Sequence, residues 1–231
     1  MPHRDDNNLP PDDAGFAKDM PETDVAAARQ APIINAPTVV IVLAGAMLAG
    51  QVVRMASPDA WQSLMNLAVV ASGAVGFGMG DRPLGDVGPL LLHPFLHSGW
   101  MNAALSIAAV LTFGGVAARP FGNTLAGSLQ FMGFFFFCAI VGAIAEIIIA
   151  GGRGTMMMGD WTAISGCIAG AGWAMGGVRG LLRFSIPWGA IQIVFLLLSF
   201  TGFVEGGVGE IVSLAIGALV YPLAIRLAKT P

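Results

Sequence analysis

Ser165 stands in the run Ala163-Ile164-Ser165-Gly166 at the start of an apolar segment. A serine hydroxyl becomes a nucleophile when a neighbouring base takes its proton and nearby donors hold the oxyanion that forms. Few residues in this chain could fill those roles. Asn102 and Ser106 are four apart, so on a helix they share one face. Such polar side chains can serve as plain hydrogen bonds between membrane helices. The only histidines are His3, His93 and His97, so no imidazole follows residue 97. Glu210 is an acid at the opening of the last apolar segment. With an ordinary pKa of about 4.3 a carboxylate is a weak base near neutrality.

The surroundings of these residues are those of a membrane protein. Of 231 residues, 55% are hydrophobic and 11% are charged, and the mean hydropathy is +0.75. Soluble domains carry charge on about a quarter of their residues. The 32 glycines follow no three-residue period, which excludes collagen. Glycine is instead frequent where membrane helices approach closely. A net charge of −3 with no basic run excludes a phosphate backbone as partner, so no nucleic acid is expected. Cys138 and Cys167 fall in separate apolar segments without ligand spacing and read as small buried hydrophobes. No metal site and no cofactor is expected.

Residues 1–37 form an acidic stretch with seven Asp or Glu against three Lys or Arg. It lacks the basic start and short apolar core of a signal peptide, and we expect a disordered tail with room for a short helix near Asp24–Arg29. Residues 38–231 form the membrane domain. Its apolar runs are Thr38–Val53, Trp100–Ala118, Ala126–Ala150, Trp161–Gly177, Ser185–Phe203 and Gly209–Leu227. Each approaches the roughly 20 residues that cross a bilayer, and without water to bond the backbone each must be helical. A weaker stretch, Leu64–Gly80, lies in the long connection Ala56–Gly99 and reads as an interfacial or partly inserted helix. With the amino terminus cytoplasmic, the inner connections hold Arg119, Arg179, Arg183, Arg226 and Lys229, and the outer ones Arg54, Arg82 and Arg153. That modest excess follows the positive-inside rule. We expect a multi-pass protein of a bacterial inner membrane, with Trp100, Ser165 and Glu210 all near the outer face.

Three stretches resemble the rhomboid family of intramembrane serine proteases, over about residues 38–227. The first is Phe95-Leu96-His97-Ser98-Gly99-Trp100, followed by Phe113-Gly114-Gly115. Here Asn102 falls where the family has its oxyanion histidine, and Ser106 where it has an asparagine. The second is Ala163-Ile164-Ser165-Gly166-Cys167-Ile168-Ala169-Gly170, which matches the nucleophile motif apart from Ala163 and Cys167. Its Gly166 and Gly170 form a small-xxx-small pair suited to close helix contact. The third is the last segment, where Gly209, Glu210, Ser213 and Gly217 align with a small residue, the catalytic histidine and two glycines. The resemblance implies an all-α, six-transmembrane-helix bundle with a long, partly membrane-associated first outer loop. It implies Ser165 as the nucleophile position, Glu210 in place of the catalytic histidine, and His97 and Trp100 as supports of the first loop and groove.

A Ser–Glu pair would have to return the proton to a leaving amine in a geometry shaped for imidazole, and its carboxylate would repel the negative intermediate. The expected function is therefore that of a rhomboid-like pseudoprotease. It would bind a transmembrane helix of another membrane protein, as a subunit, assembly factor or trafficking factor, with lipid around it. The alternatives are an active intramembrane serine endopeptidase and a small ion-coupled transporter. Glu146 supports the latter, because an intramembrane acid is a functional candidate and could cluster with Glu210, Glu205 or Asp160. Met156-Met157-Met158 reads as a greasy cap or lipid contact. Trp100, Trp161 and Trp188 read as an interfacial aromatic belt, and Phe134 to Phe137 must face lipid in part.

Overall fold

A computed structural model describes residues 36–72, 87–150, 155–199 and 207–228. The acidic tail expected over residues 1–37 lies, but for Ala36 and Pro37, outside the described residues. Helices dominate, and five are long and apolar enough to cross a membrane. Helix α1 is Thr38–Ala56, and a short helix α2, Pro58–Ala68, follows it. Ser57 caps α2, its hydroxyl accepting from the Ala60 N–H at 3.2 Å, with Pro58 at the first position. Strand β1, Val70–Ser72, comes next, and then, after the undescribed residues, helix α3, Val87–Leu92. Helix α4 is Trp100–Phe121, with a π-helical turn over Val110–Gly114. Helix α5 is Leu125–Ala150, strand β2 is Thr155–Met157, α6 is Trp161–Ser199 and α7 is Val208–Ala228.

The described residues thus hold five long helices where six separate ones were expected. The difference lies in α6. The expected segments Trp161–Gly177 and Ser185–Phe203 are two arms of this one element, with 200–203 outside the described residues. The arms meet at Gly176 (φ −169°, ψ 25°) and Gly177 (φ 57°, ψ −137°). The second of these conformations is open to glycine and strained for other residues. The chain reverses there. A Cβ on Gly172 would lie 2.8 Å from the Gly180 carbonyl oxygen, whereas eight residues of straight helix span about 12 Å.

The first arm of α6 is the centre of the protein. Every residue from Thr162 to Gly172 is buried, as befits a helix that is apolar and small on all sides. Helix α7 lies against it so closely that a Cβ on Gly217 would come within 2.7 Å of the Gly166 Cα. A Cβ on Gly170 would lie 2.7 Å from the Tyr221 ring. Helix α5 packs against both, and Cys138, buried and free, fills the space beside Gly166. Around the other end Phe121, Phe131, Phe134 and Tyr221 meet edge to face, with centroids 5.3–5.8 Å apart for Phe134–Tyr221 and Phe121–Tyr221. The Tyr221 hydroxyl donates to the Ala117 carbonyl at 2.8 Å, tying α7 to α4. Phe134 and Phe135 are buried and Phe137 is exposed, so the phenylalanine run faces both core and surroundings.

One expectation for the loops is corrected. Leu64–Gly80 is not one helix: α2 starts earlier, at Pro58, ends at Ala68 and gives way to β1, and residues 73–80 lie outside the described residues. The methionine run is half-buried. Thr155–Met157 pairs antiparallel with β1, Val70 opposite Met157, and Met156 and Met158 pack on a small second core of Ala68, Val69 and Leu96.

The Gly166–Gly217 approach predicts a sharp contrast between two substitutions. Gly217→Ala forces two backbones apart and should destabilise the protein by about 1–3 kcal/mol. Gly133→Ala, on α5 where nothing lies within 4 Å of the added methyl, should leave the unfolding midpoint in detergent unchanged or slightly raised, since alanine is the better helix former.

Candidate functional site

Ser165 is one turn into α6 and fully buried. Its hydroxyl donates to the Trp161 carbonyl at 2.8 Å, a bond back into its own helix. Its oxygen accepts from the Trp188 indole N–H, also at 2.8 Å. Trp188 is on the second arm of α6, and the reversal at Gly176–Gly177 brings it across 23 residues of chain to this place. The Trp161 and Trp188 rings stack, 5.8 Å between centroids and 25° apart. They form a lid over the serine. Trp100 is about half exposed.

Asn102 turns toward this lid. Its amide oxygen accepts from the Trp161 indole N–H at 3.0 Å, and its amide NH₂ donates to Ser98 Oγ at 3.2 Å. The amide holds the tryptophan above Ser165 and bonds Ser98 one turn earlier. Ser106, four residues on, is fully buried, and its hydroxyl has no partner among the described residues. No hydrogen bond joins Asn102 or Ser106 to Ser165 there.

Glu210 and Glu146 both serve the start of α7. Glu210 Oε2 accepts from the Gly207 N–H at 2.8 Å, closing the first turn of its own helix. Glu146 Oε2, from α5, accepts from the Gly209 N–H at 2.9 Å. Both carboxylates thus satisfy backbone donors that a helix leaves open at its start, where negative charge is also favoured. The structure brings these two acids to one helix end, and no hydrogen bond joins Glu210 to Ser165 among the described residues. Glu205 lies outside them. Ser213 turns away from the serine and donates to the Cys138 carbonyl at 2.8 Å.

His97 pairs with Asp160 and not with Ser165. Its Nε2 lies 3.4 Å from Asp160 Oδ1, and both side chains are fully buried. Arg54 Nη1 donates to the His97 carbonyl at 3.1 Å, and its guanidinium covers Trp61 at 5.4 Å. The Gly159 N–H donates to the His93 carbonyl at 2.9 Å. Together with the β1–β2 pair, these bonds fix the segment before α4 to the segment before α6, and so position Asn102 against Trp161. His93 donates from Nδ1 to the Pro89 carbonyl at 3.0 Å, and burial lowers its pKa to about 4.

A cavity of about 430 Å³ opens beside the lid, lined by Leu105, Trp161, Trp188, Gln192, Phe195 and Glu210 among others. Its walls are apolar apart from the Gln192 amide and the Glu210 carboxyl. Gln192, only 3% exposed, interrupts the apolar run from Ile191 to Leu198, a signal present in the sequence. Asp160 and Trp188 were equally visible as residues, but their partners are 63 and 23 positions away. Among the described residues, no group of three or more His, Cys, Asp or Glu side chains could hold a metal ion. No protein-family model matches the chain, and no curated protein is significantly similar to it.

Two outcomes follow for the loop clamp. Asp160→Ala leaves His97 Nε2 buried without its acceptor and should cost about 1–3 kcal/mol of stability. The buried neutral His93 makes stability pH-dependent: the unfolded chain takes up this proton below about pH 6.5 and the folded chain only near pH 4. Stability should therefore fall by about 3 kcal/mol as the pH drops through that window. In His93→Asn that share of the fall should vanish when the unfolding midpoint is followed against pH.

Proposed function

We propose that this chain is a rhomboid-like membrane protein without peptidase activity that binds a transmembrane helix of another membrane protein. The observation that carries the reading is the state of the Ser165 hydroxyl. Its proton points at a carbonyl of its own helix, and its oxygen is covered by an indole N–H. An indole donates and cannot accept a proton, so Trp188 is no base. The acid at the position of the family's histidine holds the Gly207 N–H instead. A nucleophile needs a neighbour that removes its proton, and a serine engaged this way lacks one.

The rest of the architecture supports a six-helix rhomboid-like bundle. With α6 folded back at Gly176–Gly177, reading each of its arms as a crossing of its own would bring the five long helices to six. This count puts both ends of the membrane domain on one side, and the arginine bias favours the cytoplasm of a bacterial inner membrane for them. The cavity lies between α4 and the second arm of α6, with exposed Leu105 and Phe195 at its edge. Such an opening suits a helix that docks from the side, as a subunit or as cargo of an assembly or trafficking factor.

A photoreactive phenylalanine analogue in place of Phe195 tests this reading in native membranes. It should give a discrete adduct whose linked peptide lies in an apolar span of another protein. Gln192→Trp, which fills the cavity, should abolish that adduct. Lipid adducts alone, equal to those from the same probe at exposed Leu219 on α7, would overturn the proposal.

A further inference from the structure

The cavity beside the tryptophan lid holds polar capacity that the protein itself leaves unused. The Glu210 carboxyl takes the Gly207 N–H on Oε2 and meets its own backbone N–H, and it borders the cavity with no side-chain partner among the described residues. The Gln192 side chain is more than nine-tenths buried and lines the same cavity, and no described residue hydrogen-bonds its amide. Buried polar groups are almost always paired, and a carboxylate away from water calls for a positive partner most of all. No cation among the described residues lines the cavity. Among the described arginines, Arg54 serves His97 and Trp61, and Arg119, Arg179, Arg183 and Arg226 are not part of the cavity lining. The elements around Glu210 add Glu146, a second acid, which makes this helix end short of positive charge. The remaining walls are two stacked indoles, a phenylalanine and leucine, which suit the methylene stem of a long basic side chain and, over the ring faces, its charged head.

We propose that the guest helix is recognised by a lysine or arginine within its apolar span, whose head enters this cavity and pairs with the Glu210 carboxyl while Gln192 contributes its amide oxygen. The inference rests on the helix-binding reading above and adds the chemistry of the guest. The volume of about 430 Å³ admits one such side chain. A basic residue in a lone helix is unfavourable in lipid, so a guest of this kind gains from being bound in a way that a fully apolar helix does not. Selection by charge would then separate the guest from the many uncharged helices around it.

Purified full-length protein and synthetic single-span helices, reconstituted together in phosphatidylcholine vesicles and followed by energy transfer, provide the test. One guest carries a central lysine, a second carries methionine there, and a third carries aspartate. The lysine guest should bind at least about thirtyfold more tightly than the methionine guest, the ratio expected for a buried charge pair. Glu210→Gln keeps the cap on Gly207, since glutamine serves that position as glutamate does, and should bring the ratio close to one. Gln192→Leu, which breaks no hydrogen bond among the described residues, should lower the ratio several-fold. Equal affinity for lysine and methionine guests, or preference for aspartate, overturns the charge selection while leaving helix binding in place. Absence of binding by all three guests overturns the helix-binding reading and this inference with it.

Discussion

The contact on which this structure depends is backbone against backbone, Gly166 of α6 on Gly217 of α7. In lipid there is little hydrophobic force to press helices together, so association comes from close packing and hydrogen bonds. The absence of side chains at these two positions lets the first arm of α6 sink between α5 and α7 until every residue from Thr162 to Gly172 is buried. Ser165 is buried by the same contact. Its polar hydroxyl must then find partners within the protein, and it finds the Trp161 carbonyl and the Trp188 N–H. A structural demand for satisfied hydrogen bonds thus draws the hydroxyl into two bonds, neither of them to a base.

The same demand explains the acids. Glu210 and Glu146 sit where α7 begins and its first N–H groups have no helical acceptor. A carboxylate there answers both the open donors and the positive end of the helix dipole. These roles need no proton to move. They set the first turn of α7 against α5 and leave one face of Glu210 toward the cavity. The loop clamp completes the frame: His97 on Asp160, Arg54 on the His97 carbonyl, and the short strand pair hold the approaches to α4 and α6 together. Asn102 and Trp161, one from each helix, can then close over the serine.

Much of this was legible in the residues. The apolar runs marked the helices because lipid permits little else, and Gly166, Gly170 and Gly217 marked where they would touch. Ser165 was placed at the start of a buried segment, as found. The reversal at Gly176–Gly177 was implied by the separation of two apolar runs, though the chain there stays helical on both sides and forms one long element rather than two helices joined by a loop. What the sequence could not show are pairings across distance. Nothing local to Trp188 says that it will cover Ser165, and nothing local to Asp160 says that it will meet His97. The strand pair is three residues a side and too short to carry a period. Glu210 did carry a local sign, since it follows Gly207 at the spacing of a capping glutamate, but its alignment with a catalytic position drew the reading toward chemistry instead.

Hydrolysis is the most direct test of the claim that Ser165 has no base. The purified protein in proteoliposomes is given a labelled single-span peptide, in parallel with Ser165→Ala, and products are followed by mass spectrometry. The account predicts no cleavage above that of peptide alone in either preparation. Cleavage by the unaltered protein that disappears in Ser165→Ala would contradict it.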